Sequence, residues 1–206
     1  MKIIIIDYGL GNLHSVLGAV QKLGFHAKIT NNLSEIEKAD KLILPGVGAF
    51  EDGIVNLRKS NLISCLDFLV NKKKKPILGI CLGFQLLAND SNEFGFHEGL
   101  GWVNASVKKL NIKIEKKLRV PHVGWNNLLK QKKSVLWDDV PDDALFYYVH
   151  SYHMECYNEE IVIAKCNYGY EFVSAIQQDN IYGTQFHPEK SQFYGLKVLK
   201  NFIEKT

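Results

Sequence analysis

The glycine-flanked segment Gly79-Ile80-Cys81-Leu82-Gly83 constrains the fold of this chain more than any other feature. It follows the apolar run Pro76-Ile77-Leu78 and precedes a segment, Phe84 to Asn89, that we predict to be helical. A glycine on each side of the central residue allows a sharp strand-to-helix turn in which a Cβ would crowd the neighbouring backbone. The pattern therefore predicts a strained backbone at Cys81 and a side chain raised at a helix N-terminus.

A cysteine in that position can act as a covalent nucleophile. The helix dipole and the free N–H groups favour the thiolate, and the same N–H groups can hold a developing oxyanion. The alternative is a buried structural cysteine, because free cysteine is often simply buried. Two of the other cysteines, Cys65 and Cys166, lie in apolar runs and are predicted to be core residues. The chain has no Cys-x-x-Cys pair, so we predict neither a zinc site nor a redox pair.

Length and charge limit the remaining possibilities. A chain of 206 residues with a net charge of +3 is long enough for one domain with a sizeable core, and its charge does not argue for nucleic-acid binding. The first residues, Met1 to Asp7, are typical of a strand rather than a signal peptide, and the sequence contains no apolar stretch that could span a membrane. We therefore expect a cytoplasmic protein with reduced thiols.

The order of apolar runs predicts an α/β fold. In the first half, strands alternate with helices, which implies a parallel sheet with helices on both faces. The predicted strands there are 3–6, 27–30, 42–44 and 76–80, and the predicted helices are 12–23, 33–38 and two within 50–70, broken near Ser60-Asn61. In the second half, residues 101–119 alternate as antiparallel or edge strands do. They are followed by predicted strands 145–149, 161–165, 172–177 and 181–185 and a closing helix, 191–204.

A second motif, Gly183 to Ser191, also lies where a strand gives way to a helix. Pro188 fixes the backbone between His187 and Glu189, and a carboxylate two residues after a histidine can orient its imidazole. Because ligand sites of open α/β sheets lie at the carboxyl ends of the strands, we expect His187 to meet Cys81. Taken alone, His187 is more typical of a surface or capping residue.

A third motif, Pro45-Gly46-Val47-Gly48, follows a predicted strand. Its two glycines allow unusual backbone torsions and can leave N–H groups facing a cleft, which would suit a second oxyanion donor. The alternative is a plain tight turn.

These three segments, in this order, resemble the class I (triad) glutamine amidotransferases, and Cys81, His187 and Glu189 match the triad of that family. Further segments resemble one subfamily, the glutaminase subunits of imidazole glycerol phosphate synthase. These segments are Asp7 to Leu13, Pro121 to Asn126, Tyr148 to Tyr152 and His187 to Ser191. The resemblance covers residues 1–206 and implies one glutaminase domain with a mostly parallel central sheet, flanking helices and added antiparallel strands.

The resemblance implies that Cys81 attacks glutamine, that His187 moves the proton and that Glu189 orients His187. It implies an oxyanion hole from Gly46, Val47, Gly48 and the backbone of Leu82, and no cofactor. It also implies that substrate is bound by Gln85, Glu93 and the backbone of His150, Ser151 and Tyr152. From the residues alone, Gln85 would be an exposed helix position and Glu93 a loop charge.

The resemblance further implies a heterodimer with a (β/α)8-barrel cyclase, which receives the ammonia and makes imidazole glycerol phosphate and AICAR in histidine biosynthesis. We expect Asn12, Trp125, Lys190 and either Tyr147 or Tyr148 at that interface. Trp125 could instead be core, but Gly124 and Asn126 beside it favour an exposed loop facing a partner.

Several positions depart from the subfamily pattern, although none belongs to the triad: Phe84, Gly101-Trp102, Val123 and Thr184. They leave open an alternative in which the same glutaminase chemistry feeds a synthase of bacterial surface amino or amidino sugars. Two further alternatives are a stand-alone cysteine hydrolase and a non-catalytic binding protein that kept the fold. The His-Pro-Glu spacing argues against the former, and the complete triad argues against the latter.

Overall fold

The structure, a computed structural model, describes residues 1–113 and 116–206, and its elements follow the apolar runs of the sequence. Its helices are α1 (Leu13–Lys22), α2 (Leu33–Glu37), α3 (Phe50–Lys59), α4 (Leu62–Asp67), α5 (Leu82–Gln85) and α6 (Gln192–Lys205). The strands of the first half are β1 (Ile3–Ile6), β2 (Ala27–Thr30), β3 (Lys41–Gly46), β4 (Ile77–Cys81), β5 (Ala88–Ser91), β6 (His97–Glu98) and β7 (Val103–Lys109). Those of the second half are β8 (His122–Asn127), β9 (Leu129–Lys130), β10 (Leu145–His150), β11 (Tyr152–Cys156), β12 (Val162–Asn167), β13 (Glu171–Gln178) and β14 (Ile181–Thr184).

A mixed eight-stranded sheet forms the centre of the molecule, in the order β2-β1-β3-β4-β14-β13-β12-β9. The pairs from β2 to β14 are parallel, and those from β14 to β9 are antiparallel. A four-stranded sheet, β11-β7-β5-β6, and the antiparallel pair β10-β8 complete the structure. The predicted α/β architecture with added antiparallel strands is confirmed. In the described part of the chain, no helix combines the length and the apolar character needed to cross a membrane.

Strand β1 shows why the central sheet is covered on both faces. All four of its isoleucines are buried, and alternate side chains point to opposite faces of a strand. Ile3 and Ile5 pack in the apolar cluster that contains residues of α1 and α6, whereas Ile4 and Ile6 pack in the cluster that contains residues of α3 and α4. The continuous apolar run therefore predicted a strand buried between two helical layers correctly.

The prediction of a helix from Phe84 to Asn89 is wrong. Helix α5 ends at Gln85, and the chain then enters the smaller sheet as β5, which pairs with β6 and β7. Leu86 and Leu87 are fully buried, and the carbonyl of Leu87 accepts hydrogen bonds from two backbone N–H groups of the chain entering β7. In a short run that is buried on all sides, the spacing of apolar residues does not distinguish a helix from a strand.

Three other predictions need smaller corrections. Cys166 is fully buried as expected, but Cys65 is only partly buried. Trp125 with its neighbours Gly124 and Asn126, expected in an exposed loop, lies on strand β8. The predicted strand 42–44 is longer, since β3 continues through Pro45 and pairs Gly46 with Cys81. The expectation for residues 101–119 is confirmed by β7 in its first part, while residues 114 and 115 lie outside the described residues.

The glycines of the Cys81 turn are required by close backbone approach. A Cβ on Gly83 would lie 1.8 Å from the carbonyl oxygen of Leu44, and a Cβ on Gly79 would lie 2.8 Å from that of Gly83. Gly46 is equally confined, because a Cβ there would lie 2.3 Å from the hydroxyl of Tyr8. The turn after β4 is thus pressed directly against the end of β3, as the sequence predicted for the flanking glycines.

We expect Gly83→Ala to destabilise the fold severely, because the added methyl group meets the rigid backbone of β3. Overpacking of this kind typically costs about 1–3 kcal/mol or more. Gly18→Ala is the matched control, since Gly18 lies in α1 with open space around it, and alanine there should stabilise by about 0.5–1 kcal/mol. Urea unfolding monitored by circular dichroism measures both, and equal stabilities of Gly83→Ala and the wild type would contradict this packing.

Candidate active site

Cys81 is the last residue of β4 and has a strained backbone, with φ 54° and ψ −108°. Positive φ is uncommon for a residue with a Cβ and is characteristic of functional turns. Helix α5 begins at Leu82, and the first N–H groups of a helix have no partner within the helix. The structure therefore confirms the predicted turn and places the thiol beside the N-terminus of α5.

His187 and Glu189 form a buried pair after β14. Nδ1 of His187 donates to Oε1 of Glu189 at 2.8 Å, and both side chains are almost fully buried. The backbone N–H of His187 donates to the carbonyl of Tyr147 at 2.9 Å, which fixes this segment against β10. Nε2 of His187 has no partner among the described protein atoms and is left for proton transfer.

The electrostatics of His187 favour its protonated form. Burial opposes protonation, but the neighbouring Cys81 and Glu189 outweigh burial and raise the pKa of His187 above its ordinary value. A protonated imidazole facing Cys81 stabilises the thiolate in turn. The pair thus has the charge arrangement that a cysteine nucleophile needs.

A cleft of about 350 Å³ brings the predicted site residues together. Its lining consists of Val47, Gly48, Cys81, Leu82, Gln85, Glu93, Pro121, Val149, His150, Ser151, Tyr152 and His187. Two predicted residues stand just behind the wall: Gly46 pairs with Cys81 between adjacent strands, and Glu189 lies behind His187. All the predicted catalytic, oxyanion and substrate-binding positions therefore lie in or directly against one cleft.

Gln85 and Glu93 are both buried, contrary to what the residues alone suggested. Nε2 of Gln85 donates to the carbonyl of Tyr152 at 2.8 Å and to Oε1 of Gln185 at 3.0 Å. The carboxylate of Glu93 accepts a hydrogen bond from the backbone N–H of Phe50 at 2.8 Å. Burial raises the pKa of Glu93, and the Phe50 N–H partly offsets that effect.

Two buried histidines, His150 and His122, support the part of the cleft wall formed by residues 149–152. Nδ1 of His150 lies 2.8 Å from the carbonyl of Tyr152, so it must carry the proton, which leaves Nε2 as an acceptor. That Nε2 lies 3.2 Å from Nδ1 of His122, which is therefore the donor. Burial lowers the pKa of His122 to about 4 and that of His150 to about 3. Both imidazoles are neutral near pH 7, and their tautomers are fixed by these contacts.

Sequence analysis missed three residues at the site. Pro121 and Val149 line the cleft, and Gln185 contacts Cys81, with its Nε2 3.8 Å from the sulfur. The signal available in the sequence was the place of Gln185 in the same motif as His187, two residues before it.

The predicted interface residues form part of the surface near the cleft. Asn12 and Trp125 are exposed, whereas Lys190 is partly buried with its Nζ 5.9 Å from the ring centre of Tyr147. The rings of Trp125 and Tyr147 lie 5.9 Å apart. Tyr148 is fully buried, with its hydroxyl 2.6 Å from that of Ser174, so of the two tyrosines Tyr147 is the one near the surface.

The described residues also bear on metal binding. Within residues 1–113 and 116–206, no group of three or more His, Cys, Asp or Glu side chains is placed to hold a metal ion. The described side chains place a thiol, an imidazole paired with a carboxylate, and further polar groups around a small cleft.

Comparison of the sequence with known proteins identifies its family and its relatives. A family model for class I glutamine amidotransferases matches residues 4–206. The chain is 46% identical over 204 residues to imidazole glycerol phosphate synthase subunit HisH 2 of Methanococcus maripaludis, covering 99% of this chain and 100% of the relative. It is 43% identical to subunit HisH 2 of Pseudomonas aeruginosa, with 98% of each chain covered. Subunit HisH of Geobacter sulfurreducens is 44% identical, again with 98% of each chain covered.

Solved structures show the same fold at lower identity. PurLQS from Thermotoga maritima superposes with a TM-score of 0.74 at 17% identity, covering 98% of this chain and 97% of that one. The glutaminase domain of CTPS from Trypanosoma brucei superposes with a TM-score of 0.65 at 17% identity, covering 100% and 95%.

We expect the free energy of unfolding to fall as the pH is lowered from 6.5 towards 4. In the unfolded chain an imidazole binds a proton near pH 6.5, whereas in the folded protein His122 and His150 stay neutral down to about pH 4 and about pH 3. The contribution of these two histidines to the free energy of unfolding is therefore complete above pH 6.5 and is lost on acidification. His122→Phe should reduce the loss between pH 7 and pH 4 by about 2 kcal/mol, measured by urea unfolding.

The control for this experiment is His26→Asn, because His26 is exposed and should leave the wild-type pH dependence unchanged. An equal loss in His122→Phe and the wild type would contradict the role assigned to the buried histidines.

Proposed function

This chain belongs to the class I glutamine amidotransferase family, and we propose that within it the protein is the glutaminase subunit of imidazole glycerol phosphate synthase in histidine biosynthesis. The observation that carries the proposal is its 43–46% identity to such subunits over almost the whole of both chains. The protein hydrolyses glutamine to glutamate and supplies ammonia to a synthase partner.

The thiolate of Cys81 attacks the side-chain carbonyl carbon of glutamine, forming a C–S bond and a tetrahedral oxyanion. His187 delivers its proton to the leaving nitrogen, the C–N bond breaks and ammonia departs from a glutamyl thioester. Water, deprotonated by His187, then attacks the thioester and releases glutamate with the thiolate restored. Glu189 keeps Nδ1 of His187 occupied, so that Nε2 faces the reaction.

The oxyanion is held by the N–H of Leu82 at the start of α5 and by N–H groups of the segment Gly46-Val47-Gly48. Strand pairing of Gly46 with Cys81 brings this segment alongside the nucleophile. Gly48 has a φ of 107°, a torsion that glycine adopts without a steric penalty. Losing one such donor costs about 3–4 kcal/mol of barrier in comparable enzymes.

The amino-acid end of glutamine binds between Gln85, Glu93 and the backbone of residues 150–152. Both N–H groups of Gln85 are used within the protein, so its amide oxygen is what remains for a ligand. That oxygen and the carboxylate of Glu93 are both acceptors, and together they suit an ammonium group. The cleft therefore favours a free amino acid over a glutamine side chain within a peptide.

The partner is a (β/α)8-barrel cyclase bound as a heterodimer over the surface of Asn12, Trp125 and Lys190. Ammonia leaving Cys81 must reach a second site before it is protonated, so the partner covers the side of the cleft near Tyr147. The contact of Tyr147 with Trp125 and with Lys190 gives this surface an aromatic and cationic character typical of interfaces. The partner uses the ammonia to form imidazole glycerol phosphate and AICAR.

Glutamate release from glutamine, measured alone and with the barrel cyclase of the same source plus its nucleotide substrate, tests the proposed pathway. Strong stimulation by the loaded cyclase is the expected result. Glutamate release that the cyclase leaves unchanged would contradict the histidine pathway and direct the ammonia to an acceptor such as a surface-sugar synthase.

We expect Cys81→Ala to abolish glutamine hydrolysis while the fold is retained, because the thioester cannot form without the sulfur. Cys65→Ala is the control, since Cys65 lies on α4 outside the cleft and should keep wild-type activity. Glutamate release is the measurement, and circular dichroism verifies the fold. Substantial turnover by Cys81→Ala would refute the mechanism.

Lys190→Ala should weaken stimulation by the cyclase several-fold while the triad stays intact, because the change removes a cation from the proposed interface. Lys73→Ala is the matched control, since Lys73 precedes the N-terminal end of β4, at the opposite end of the sheet from Cys81. A titration of glutamate release against cyclase concentration compares the two. Equal stimulation of both variants would argue against this interface.

A further inference from the structure

We propose that Gln185 donates a side-chain N–H to the sulfur of Cys81 and so holds the thiolate in position, while Gln85 fixes the direction in which the Gln185 amide faces. The inference rests on the proposed function, because it concerns the same nucleophile. It gives a defined task to a buried polar residue outside the triad.

The backbone after β14 brings Gln185 to the sulfur. Gln185 is fully buried, and its backbone N–H donates to the carbonyl of Ser174 at 2.8 Å. It precedes His187 by two residues, in the bend that follows β14. Phe186, between them, packs into the core with its ring 4.4 Å from that of Phe146. Gln185 and His187 therefore approach Cys81 from one element.

The hydrogen bonds around Gln185 have a single consistent direction. The carbonyl of Tyr152 can only accept, so the Gln85 atom 2.8 Å from it must be the amide nitrogen. The same nitrogen lies 3.0 Å from the Gln185 amide, which must therefore present its oxygen there. The other end of the Gln185 amide, 3.8 Å from the Cys81 sulfur, is then the N–H donor.

A donor at this place favours one protonation state of Cys81. The sulfur also lies 4.0 Å from the carbonyl oxygen of Val149, which can accept a hydrogen bond from the thiol but repels a thiolate. Gln185 has the opposite preference, because hydrogen bonding to a charged form stabilises that form. Gln185 is thus a neutral donor that offsets the carbonyl of Val149 when Cys81 is ionised.

Other titratable groups face the sulfur or lie close to it. They are Tyr8 after β1, Glu93 after β5, His150 on β10, Tyr152 on β11, and His187 with Glu189 behind it after β14. The hydroxyl of Tyr8 is buried without a partner among the described atoms. None of these groups is removed by a change at Gln185, so a change in Cys81 reactivity in a Gln185 variant reports the amide itself.

The test is the pH dependence of Cys81 alkylation by iodoacetamide, in which the thiolate displaces iodide and forms a new S–C bond. We expect Gln185→Met to move the midpoint of the rate profile upward by about one pH unit, which is about a tenfold lower rate below the midpoint. Gln178→Met is the matched control. It removes a comparable hydrogen bond, from the Gln178 side-chain amide to the carbonyl of Trp102, away from the cleft. It should follow the wild-type profile.

A Gln185→Met profile that coincides with the wild type in a folded protein would overturn the proposal. Thermal unfolding establishes that each variant is folded. If Gln185→Met does not fold, Gln85→Met carries the test. It frees the Gln185 amide to turn and should shift the midpoint upward by a smaller amount, and an unchanged profile would again overturn the proposal.

Alkylation needs neither glutamine nor a partner, so this result is separate from the proposed function. A wild-type protein that is alkylated at Cys81 with the expected dependence on Gln185, yet releases no glutamate, would contradict the function and leave the role of Gln185 intact.

Discussion

The contact between Gly83 and the carbonyl oxygen of Leu44 is the constraint on which the site depends. A Cβ on Gly83 would lie 1.8 Å from that oxygen. Because glycine has no Cβ, the turn after β4 can press directly against β3. This packing holds Cys81 in its strained torsions and keeps Gly46 beside it in the strand pairing. The nucleophile and the proposed oxyanion donors are therefore set by backbone packing between two central strands.

Around this backbone frame, the polar groups are buried and paired. Glu189 orients His187, Gln85 orients Gln185, and His150 shares the carbonyl of Tyr152 with Gln85. Buried polar networks are costly unless their members are satisfied, and once satisfied they specify one arrangement. Nε2 of His187 is left without a partner among the described protein atoms, as the proposed proton transfer requires.

Much of this architecture could be predicted from sequence because its signals are local. The isoleucine run of β1 marked a strand buried on both faces, and the glycines around Cys81 marked a close backbone approach. The Pro188 segment likewise placed His187 and Glu189 at a strand end. Each of these predictions needed only neighbouring residues and elementary sterics.

The features that escaped prediction depend on tertiary partners. The short run after Gln85 is buried on all sides, so its pattern of apolar residues could not show that the chain continues into strand β5. Trp125 lies on a strand only because β8 pairs with β10. The burial of Gln85 and Glu93 likewise depends on segments distant in sequence. Gln185 lay within a motif already singled out, but its contact with Cys81 requires the whole sheet.

The central claim is that Cys81 is the residue that meets glutamine, and peptide mapping by mass spectrometry tests it most directly. The protein is treated with a glutamine analogue that alkylates thiols, with and without excess glutamine. The account predicts one label, on the peptide containing Cys81, and protection of that peptide by glutamine. Label on Cys65 or Cys156 instead, or a Cys81 label that glutamine does not suppress, would contradict it.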